Sequence, residues 1–266
     1  MTPAERDAYL EFAVTAAAAA GAAILPHFRA PIAIADKGGT RGYDPVTEAD
    51  RAAESVIRTA IAQAFPDHGI CGEEHGHEPG REPWTWVIDP IDGTRSFILG
   101  QLHWATLIAL HDGTRPVIGV THQPFVGESF IGVAGGAAQW RRGASRRALR
   151  TRACERVEDA IVATTDPRHF DTPRLQAAYA AATDGARLVR FGGDCYCYTQ
   201  LAMGLVDIVI ETGLQSYDIQ ALIPLIEAAG GIVTSWTGAA CDDGGDVLAC
   251  GDPGLHATLV ERLRDL

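Results

Sequence analysis

The sequence feature that most constrains the fold of this chain is a short apolar run that ends in carboxylates. Residues 84–88 are typical of a buried strand, and Asp89 and Asp92 follow immediately. Between Asp67 and Asp92 the chain has seven acidic residues against one basic residue, Arg81. Carboxylates gathered at the end of a buried strand repel one another unless a cation neutralises them. A fold that buries this strand therefore needs a cation there, unless these residues form a solvated acidic loop.

The spacing within this acidic turn favours a hard metal ion beside a phosphate. Oxygen-only ligands select hard cations, and a site that also takes a substrate phosphate suits Mg²⁺ best. Pro90 fixes the turn, so the carbonyl of Ile91 can point where Asp92 points its side chain. Gly93 and Thr94 then begin a predicted helix, whose free N–H groups can hold phosphate oxygens. On this pattern alone a metal-dependent glycosyltransferase stays open, because an Asp-x-x-Asp pair serves there too.

The apolar pattern divides the chain into two halves. Helices are predicted over residues 4–29 and from an N-cap at Thr47 to Pro66. Strand-like runs that indicate an antiparallel meander lie at residues 106–110, 116–121 and 128–133. Beyond them strands alternate with helices: strands at 161–164, 188–191, 208–211, 232–236 and 247–250, helices near 172–182, 195–204, 217–229 and 255–265. We therefore predict an α+β half over residues 1–145 and an α/β half over 146–266, joined within 142–155.

Charge and composition argue against several classes of protein. The formal net charge of -12 argues against nucleic acid as the main partner, because backbone binding needs a basic face. The arginine-rich residues 141–152 are interpreted as an exposed segment between structural units. The six cysteines form no CxxC pair, and His75 and His77 have no partners at zinc-like spacing. We therefore expect free thiols and no zinc site.

The N-terminal apolar stretch does not predict a membrane segment. Residues 13–25 are too few to span a bilayer. Glu5, Asp7 and Glu11 precede them, whereas a secretory signal begins with basic residues. We therefore expect a cytoplasmic protein with no membrane partner.

Four motifs strengthen the metal interpretation well beyond the pair of aspartates. They are residues 86–97 (WVIDPIDGTRSF), 217–231 (YDIQALIPLIEAAGG), 44–50 (DPVTEAD) and 72–74 (GEE). In sequence and in order they resemble the motifs of the inositol monophosphatase family. The resemblance implies a layered αβαβα sandwich, with an antiparallel sheet in the first half and a mixed sheet in the second. It also implies a homodimer and a phosphatase that acts on a small phosphorylated metabolite.

The same resemblance implies a set of metal ligands. Glu73, Asp89 and the Ile91 carbonyl would hold one Mg²⁺. Asp89, Asp92 and Asp218 would hold a second, and Glu73 could touch a third. Asp218 comes from the second half of the chain, so metal binding would join the two halves.

The resemblance also implies a residue pair that handles the attacking water. Thr94, paired with Asp50, would orient or deprotonate that water, and Glu73 would complete the catalytic set. Asp50 has a second interpretation, because a carboxylate three residues after Thr47 can cap the helix that begins there. Lys37 is expected at the rim of the cleft.

The substrate is indicated by residues 190–196 (RFGGDCY), which resemble the histidinol-phosphate phosphatase branch of the family. Inositol-directed members usually carry a small residue where Asp194 stands. The predicted substrate-binding residues are Gly93, Thr94, Asp194, Glu211 and Asp218. Asp194 could instead cap the helix predicted to start at Cys195. Histidinol-phosphate phosphatase is the predicted activity; inositol monophosphatase, a broad-specificity phosphatase and a catalytically silent metal-binding protein are the alternatives.

Overall fold

The computed structural model describes most of the chain. The described residues are 1–38, 45–264 and 266. The predicted motif residue Asp44 lies outside them.

Two helices open the chain, and each begins at a reciprocal capping box. Helix α1 (Pro3–Ile24) starts after Thr2, and α2 (Glu48–Ala64) starts after Thr47, as predicted. A 3₁₀ turn over Leu25–His27 follows α1. The predicted first helix is therefore confirmed in kind, but its α-helical part ends earlier than residue 29.

Two short strands and a large sheet make up the rest of the first half. Strands β1 (Ile34–Asp36) and β2 (Pro45–Thr47) form an antiparallel pair. The large sheet contains β3 (Gly69–Gly72), β4 (Gly76–Glu78), β5 (Thr85–Asp92), β6 (Ala105–His111), β7 (Pro116–Gln123), β8 (Glu128–Val133), β9 (Ala138–Arg142) and β10 (Ser145–Ala148). Their order is β10-β9-β8-β7-β6-β5-β3-β4. The pairs are antiparallel except β3–β5, which is parallel.

The second sheet is mixed, as predicted. It contains β11 (Ile161–Thr164), β12 (Leu188–Phe191), β13 (Ile208–Leu214), β14 (Ile232–Ser235) and β15 (Gly245–Cys250), in the order β12-β11-β13-β15-β14. Strand β11 is parallel to both neighbours, whereas β15 is antiparallel to both of its own. The remaining helices are α3 (Thr94–Ile98), α4 (Pro173–Thr183), α5 (Cys195–Ala202), α6 (Ser216–Ile219), α7 (Leu222–Ala229) and α8 (Pro253–Leu263). The helix predicted over residues 217–229 is thus two helices, α6 and α7.

Apolar clusters between these elements produce five layers. Helices α1 and α2 cover one face of the large sheet, where Trp86 is fully buried. Helices α5 and α7 lie between the two sheets, against Val87 and Val209. Helices α4 and α8 cover the outer face of the second sheet. Trp86 and Val87 are adjacent in β5 yet belong to different clusters, because neighbouring strand residues point to opposite faces.

Two glycines bring α7 close to the large sheet. Gly119 and Gly132 are cross-strand partners in β7 and β8. A Cβ on Gly119 would lie 1.9 Å from the Ala221 carbonyl oxygen, and one on Gly132 would lie 2.2 Å from Leu225 Cα. A side chain at either position would push α7 away from the sheet. Because α6 directly precedes α7, this contact also fixes the place of Asp218.

Part of the arginine-rich run, which was interpreted as an exposed segment between structural units, lies in an edge hairpin of β9 and β10. Arg146 and Arg147 lie on β10 and are exposed, so their surface position was predicted correctly. The predicted dividing line between residues 145 and 146 falls inside β10, which belongs to the large sheet. The division of the chain into two domains stays a prediction.

Helix α1 is apolar over much of its length. By length and composition alone, residues Pro3–His27 could cross a membrane. In the structure Ala13, Ala17 and Ala20 are fully buried in the cluster that joins α1 to α2 and the large sheet. Helix α1 thus packs one face against α2 and the large sheet.

Candidate active site

Strand β5 carries the acidic motif further than the sequence indicated. It continues past Ile88 to Asp92, and its pairing with β6 changes register between Asp89 and Asp92. Pro90 lies in this irregular stretch, where its missing N–H interrupts no regular ladder. Its carbonyl accepts a hydrogen bond from Thr106 Oγ1 at 2.8 Å. The irregular strand, and not a turn after it, therefore sets the direction of the two aspartates.

Gly93 links β5 to helix α3. Its φ is 86°, in the left-handed region that favours glycine. A Cβ would also lie 2.4 Å from the carbonyl oxygen of His103. Helix α3 begins at Thr94, as predicted, with the Phe97 N–H donating to the Gly93 carbonyl at 3.0 Å. Gly93 and Thr94 both line the cavity beside the acidic cluster.

Two aspartates of β5 converge with a third aspartate from a distant part of the chain. Asp89, Asp92 and Asp218 each place a ligand oxygen within 4.8 Å of the others. Asp218 lies in α6, where its Oδ2 accepts the Gln215 N–H at 2.7 Å. Asp92 Oδ1 accepts the N–H of Cys195 at 2.9 Å and so caps α5. The structure thus brings both halves of the chain to one carboxylate cluster.

The electrostatics of the cluster are strongly unfavourable for protein carboxylates alone. Burial, with the charges of Glu73 and Asp92, raises the pKa of Asp89 well above its usual value. Burial, with the charges of Asp194 and Asp218, does the same to the pKa of Asp92. Bringing these groups together is costly unless a cation is present to balance them.

Glu73 lies beside the three aspartates. Burial raises its pKa to about 7, against the opposing attraction of Lys37. The ammonium of Lys37 donates to Glu73 Oε1 at 2.7 Å and also bonds Glu74. Lys37, which was expected at the rim of the cleft, thus contacts one of the proposed metal ligands.

The donor set fits a hard divalent cation. Asp89 Oδ1 is buried and has no hydrogen-bond partner in the described part of the chain. An unpaired buried carboxylate oxygen is expensive unless an ion binds it. Ile91 adds its backbone, because it lines the cavity while its side chain is fully buried in the core. Oxygen donors alone, without histidine or cysteine, suit Mg²⁺.

Asp50 caps α2, as one of its two interpretations predicted, and its catalytic role stays a prediction. Its Oδ2 accepts the Thr47 N–H at 2.8 Å, which caps α2. Its Oδ1 lies 3.4 Å from Thr94 Oγ1. The Thr94 hydroxyl also lies 3.0 Å from the Ile91 carbonyl oxygen. One carboxylate oxygen is thus structural, and the other faces the hydroxyl proposed to handle water.

The remaining predicted site residues line one cavity of about 220 Å³ with the acidic cluster. Asp194 precedes α5, but its side chain makes no cap hydrogen bond. It accepts instead from Ser96 Oγ at 2.9 Å. Asp194 also has a φ of 44°, which is uncommon for a residue with a side chain. The capping alternative for Asp194 is therefore wrong, because Asp92 performs that function.

Glu211, on β13, forms the inner wall of the cavity. Its carboxylate is buried and accepts the Thr165 N–H at 2.5 Å and the Thr164 hydroxyl at 3.2 Å. Burial raises its pKa to about 8 in spite of these bonds.

Sequence reasoning missed several residues that build this site. Tyr198 lines the cavity from α5, and Arg95 and His169 line it as well. Glu54 is fully buried on α2 and binds the backbone that carries Glu74. The position of Tyr198 in the helix that was predicted to begin after Asp194 could have indicated the first of these, whereas Glu54 looks like an ordinary helix carboxylate.

Comparison with known proteins places this site in a family. The model of the inositol monophosphatase family matches residues 5–266. The chain belongs to the inositol monophosphatase family. The family resemblance, the αβαβα fold and membership of a phosphatase family are thereby confirmed.

Individual members of the family differ in the activity that their names give. The chain is 37% identical to the bifunctional phosphatase IMPL2, chloroplastic, of Arabidopsis thaliana, over 97% of this chain and 76% of that protein. It is 32% identical to a histidinol-phosphatase of Chlorobaculum parvum, over 94% and 95%. It superposes on an inositol monophosphatase from Zymomonas mobilis with a TM-score of 0.86 and 35% identity, covering 100% of both chains. These likenesses fix the family and leave the substrate open.

Proposed function

We propose that this protein is a magnesium-dependent phosphatase that hydrolyses L-histidinol phosphate to L-histidinol and phosphate, a step of histidine biosynthesis. The observation that carries the proposal is the position of Asp194. Asp194 lines the same cavity as the acidic cluster, and its carboxylate accepts a hydrogen bond from Ser96 and does not cap α5. A cytoplasmic location and a homodimer remain predictions that accompany this proposal.

Two or three Mg²⁺ ions would be held by five residues. They are Glu73, Asp89, Asp92 and Asp218 through their carboxylates, and Ile91 through its carbonyl. When bound, magnesium would supply charge stabilisation for the phosphoryl oxygens and Lewis-acid activation of water. The protein's own part is to hold the ligand oxygens together, and this proposal is supported by the cluster of three aspartates, Asp89, Asp92 and Asp218.

The water-handling residues are Thr94 and Asp50. The attacking water would donate a hydrogen bond to the Thr94 hydroxyl oxygen, and the same hydroxyl would donate its proton to a hydrogen bond with Asp50 Oδ1. Burial raises the pKa of Asp50, so its carboxylate is a better base than an exposed aspartate. Water would form the new P–O bond, the bond to the alcohol oxygen would break, and the leaving alcohol would take up a proton.

Substrate choice would be made beyond the phosphate. Gly93 and Thr94 offer backbone N–H groups at the start of α3 for phosphate oxygens. Histidinol phosphate carries an amine and an imidazole that protonates near neutral pH. Asp194 and Glu211 are the acidic groups of the cavity wall that such nitrogens would meet.

Inositol monophosphatase is the second candidate. It is favoured by the likeness to the Zymomonas mobilis structure and by Glu211, because a buried carboxylate also binds hydroxyl groups. It leaves the position of Asp194 without a role, since inositol offers only hydroxyls around a ring. A silent metal-binding protein is disfavoured by the complete set of Glu73, Asp89, Asp92, Thr94 and Asp218.

A substrate panel tests the proposal. The purified protein with Mg²⁺ should hydrolyse histidinol phosphate with a higher kcat/KM than inositol-1-phosphate. Asp194→Asn should lower kcat/KM for histidinol phosphate by roughly 10–150-fold, the value of one charge-assisted hydrogen bond, and spare a neutral aryl phosphate. Similar rates on both natural substrates, with Asp194→Asn indifferent, would leave a broad-specificity phosphatase instead.

A further inference from the structure

The hydroxyl of Tyr198 is buried in the active-site cavity without a partner. The side chain is 3% exposed, yet its oxygen makes no hydrogen bond to any described residue. It nevertheless lines the cavity that contains the acidic cluster. A buried hydroxyl without a hydrogen bond destabilises the fold, and most such groups in proteins are satisfied. This one calls for a functional explanation.

The placement of Tyr198 connects it with the substrate end of the cavity. Tyr198 lies on α5, four residues after Asp194, which precedes this helix, and both residues line the cavity. The acidic residues Asp194 and Glu211 line the same cavity as Tyr198. A negative surrounding favours a cationic hydrogen-bond donor over an anion or a neutral group.

We infer that Tyr198 is a substrate-binding residue whose hydroxyl accepts a hydrogen bond from a protonated nitrogen of the substrate, between Asp194 and Glu211. This inference rests on the proposed function, because the nitrogen belongs to the part of the substrate beyond the phosphate. Phenylalanine at this position would fill the same space but leave the nitrogen one acceptor short. Tyr198 takes no part in metal binding or in the attack of water.

Tyr198→Phe removes the hydroxyl and little else. With Mg²⁺ present, kcat/KM for histidinol phosphate should fall by roughly 10–150-fold, the range for a hydrogen bond to a charged group. The rate on a neutral aryl phosphate should stay within about twofold, because that ester has no nitrogen to bind. The Tm of the metal-free protein should stay equal or rise, because no internal hydrogen bond is lost.

Tyr196→Phe is the matched control on the same helix. The Tyr196 hydroxyl donates to Glu128 Oε1 at 3.0 Å, and this residue does not line the cavity. Its loss should therefore lower Tm and leave the ratio of rates on the two substrates unchanged. The two tyrosine variants thus separate a substrate contact from a structural hydrogen bond.

The outcomes judge Tyr198 and the proposed function separately. A lower Tm for Tyr198→Phe, an equal loss on both esters, or no loss on either would overturn the inference. A selective loss on histidinol phosphate would support it. The preference of the wild-type protein between histidinol phosphate and inositol-1-phosphate judges the proposed function alone, because the tyrosine test compares variant with wild type on each ester.

Discussion

At the scale of single residues, the Thr94 hydroxyl lies between two acceptors, the Ile91 carbonyl and Asp50 Oδ1. Thr94→Ala removes this hydroxyl and leaves every proposed metal ligand in place. Positioned proton transfer is worth about 10²–10⁴-fold, so kcat should fall by that factor, with a much smaller change in KM. Thr94→Ser, which keeps the hydroxyl, should retain most of the activity. Steady-state kinetics that show an unchanged kcat and a raised KM in Thr94→Ala would make this residue a binding group only.

The residue scale is also where the sequence left real alternatives. For Asp50 the sequence allowed either a catalytic or a capping role. In the structure Asp50 Oδ2 caps α2, and Oδ1 lies near the Thr94 hydroxyl. For Asp194 the sequence allowed either a position facing the cleft or a cap on α5. The cap on α5 comes instead from Asp92, which is distant in sequence. Neither outcome follows from local spacing, because each depends on which elements the fold brings together.

At the scale of elements, a side chain of α2 forms hydrogen bonds with the backbone of the turn between β3 and β4. Glu54 Oε2 accepts the Glu74 N–H at 2.6 Å, and Oε1 accepts the His75 N–H at 3.2 Å. Arg58 orients this carboxylate through Nε at 2.7 Å. The buried carboxylate thereby fixes the backbone that carries Glu73.

Glu54→Gln replaces one acceptor oxygen by an N–H donor, so one backbone N–H of the turn loses its partner. The Mg²⁺ concentration for half-maximal activity should rise by roughly 10–100-fold, as for other groups that orient metal ligands. The kcat at saturating Mg²⁺ should stay near that of the wild type. Glu78→Gln is the control, because Glu78 is largely exposed and, among the described residues, its side chain bonds the outer end of Arg58. A fall in kcat without a change in Mg²⁺ dependence would contradict this role.

The elements themselves were predicted unevenly. The long apolar strands of both sheets and helix α2 follow from periodicity and capping. The short strands β1, β2, β3, β4, β9 and β10 were not predicted. The exposed β4 and the arginine-rich β10 have no apolar alternation, since their strand state comes from pairing with neighbours. Strand β5 exceeds its predicted end because β6 continues to pair with it across Pro90.

At the scale of the whole molecule, the buried acids couple stability to pH. Burial raises the pKa of Glu73 to about 7 and that of Glu211 to about 8, from an ordinary value of 4.5. Between pH 4.5 and about pH 8 the folded protein therefore binds more protons at these two carboxylates than the unfolded chain does. Stability must therefore fall as pH rises through this window in the metal-free protein.

We expect the Tm in chelator to be lower at pH 8 than at pH 5.5. Saturating Mg²⁺ should raise Tm more at pH 8 than at pH 5.5, because the cation replaces protons at the carboxylates. In chelator, Glu211→Gln should reduce the fall of Tm with pH in the upper part of this pH range. Thermal unfolding that shows a rising Tm between pH 5.5 and pH 8 in chelator would contradict the burial of these carboxylates.

The overall architecture was the most predictable level, because four motifs in order carried the αβαβα fold. The convergence of the acidic residues of these motifs was less predictable. Asp218 lies beside Asp89 and Asp92, and the close packing of α7 on the large sheet at Gly119 and Gly132 supports this position. That approach is a tertiary fact with no local signature in the sequence.

The most direct test of the metal-centred account is the rate of phosphate release as a function of Mg²⁺ in the wild type and in Asp92→Asn. The asparagine keeps an oxygen that can accept the Cys195 N–H, so α5 stays capped while the ligand charge is lost. We expect no hydrolysis of an aryl phosphate in chelator, recovery on adding Mg²⁺, and activity lower by orders of magnitude in Asp92→Asn with an unchanged fold. Full activity in excess chelator, or in Asp92→Asn, would contradict the account.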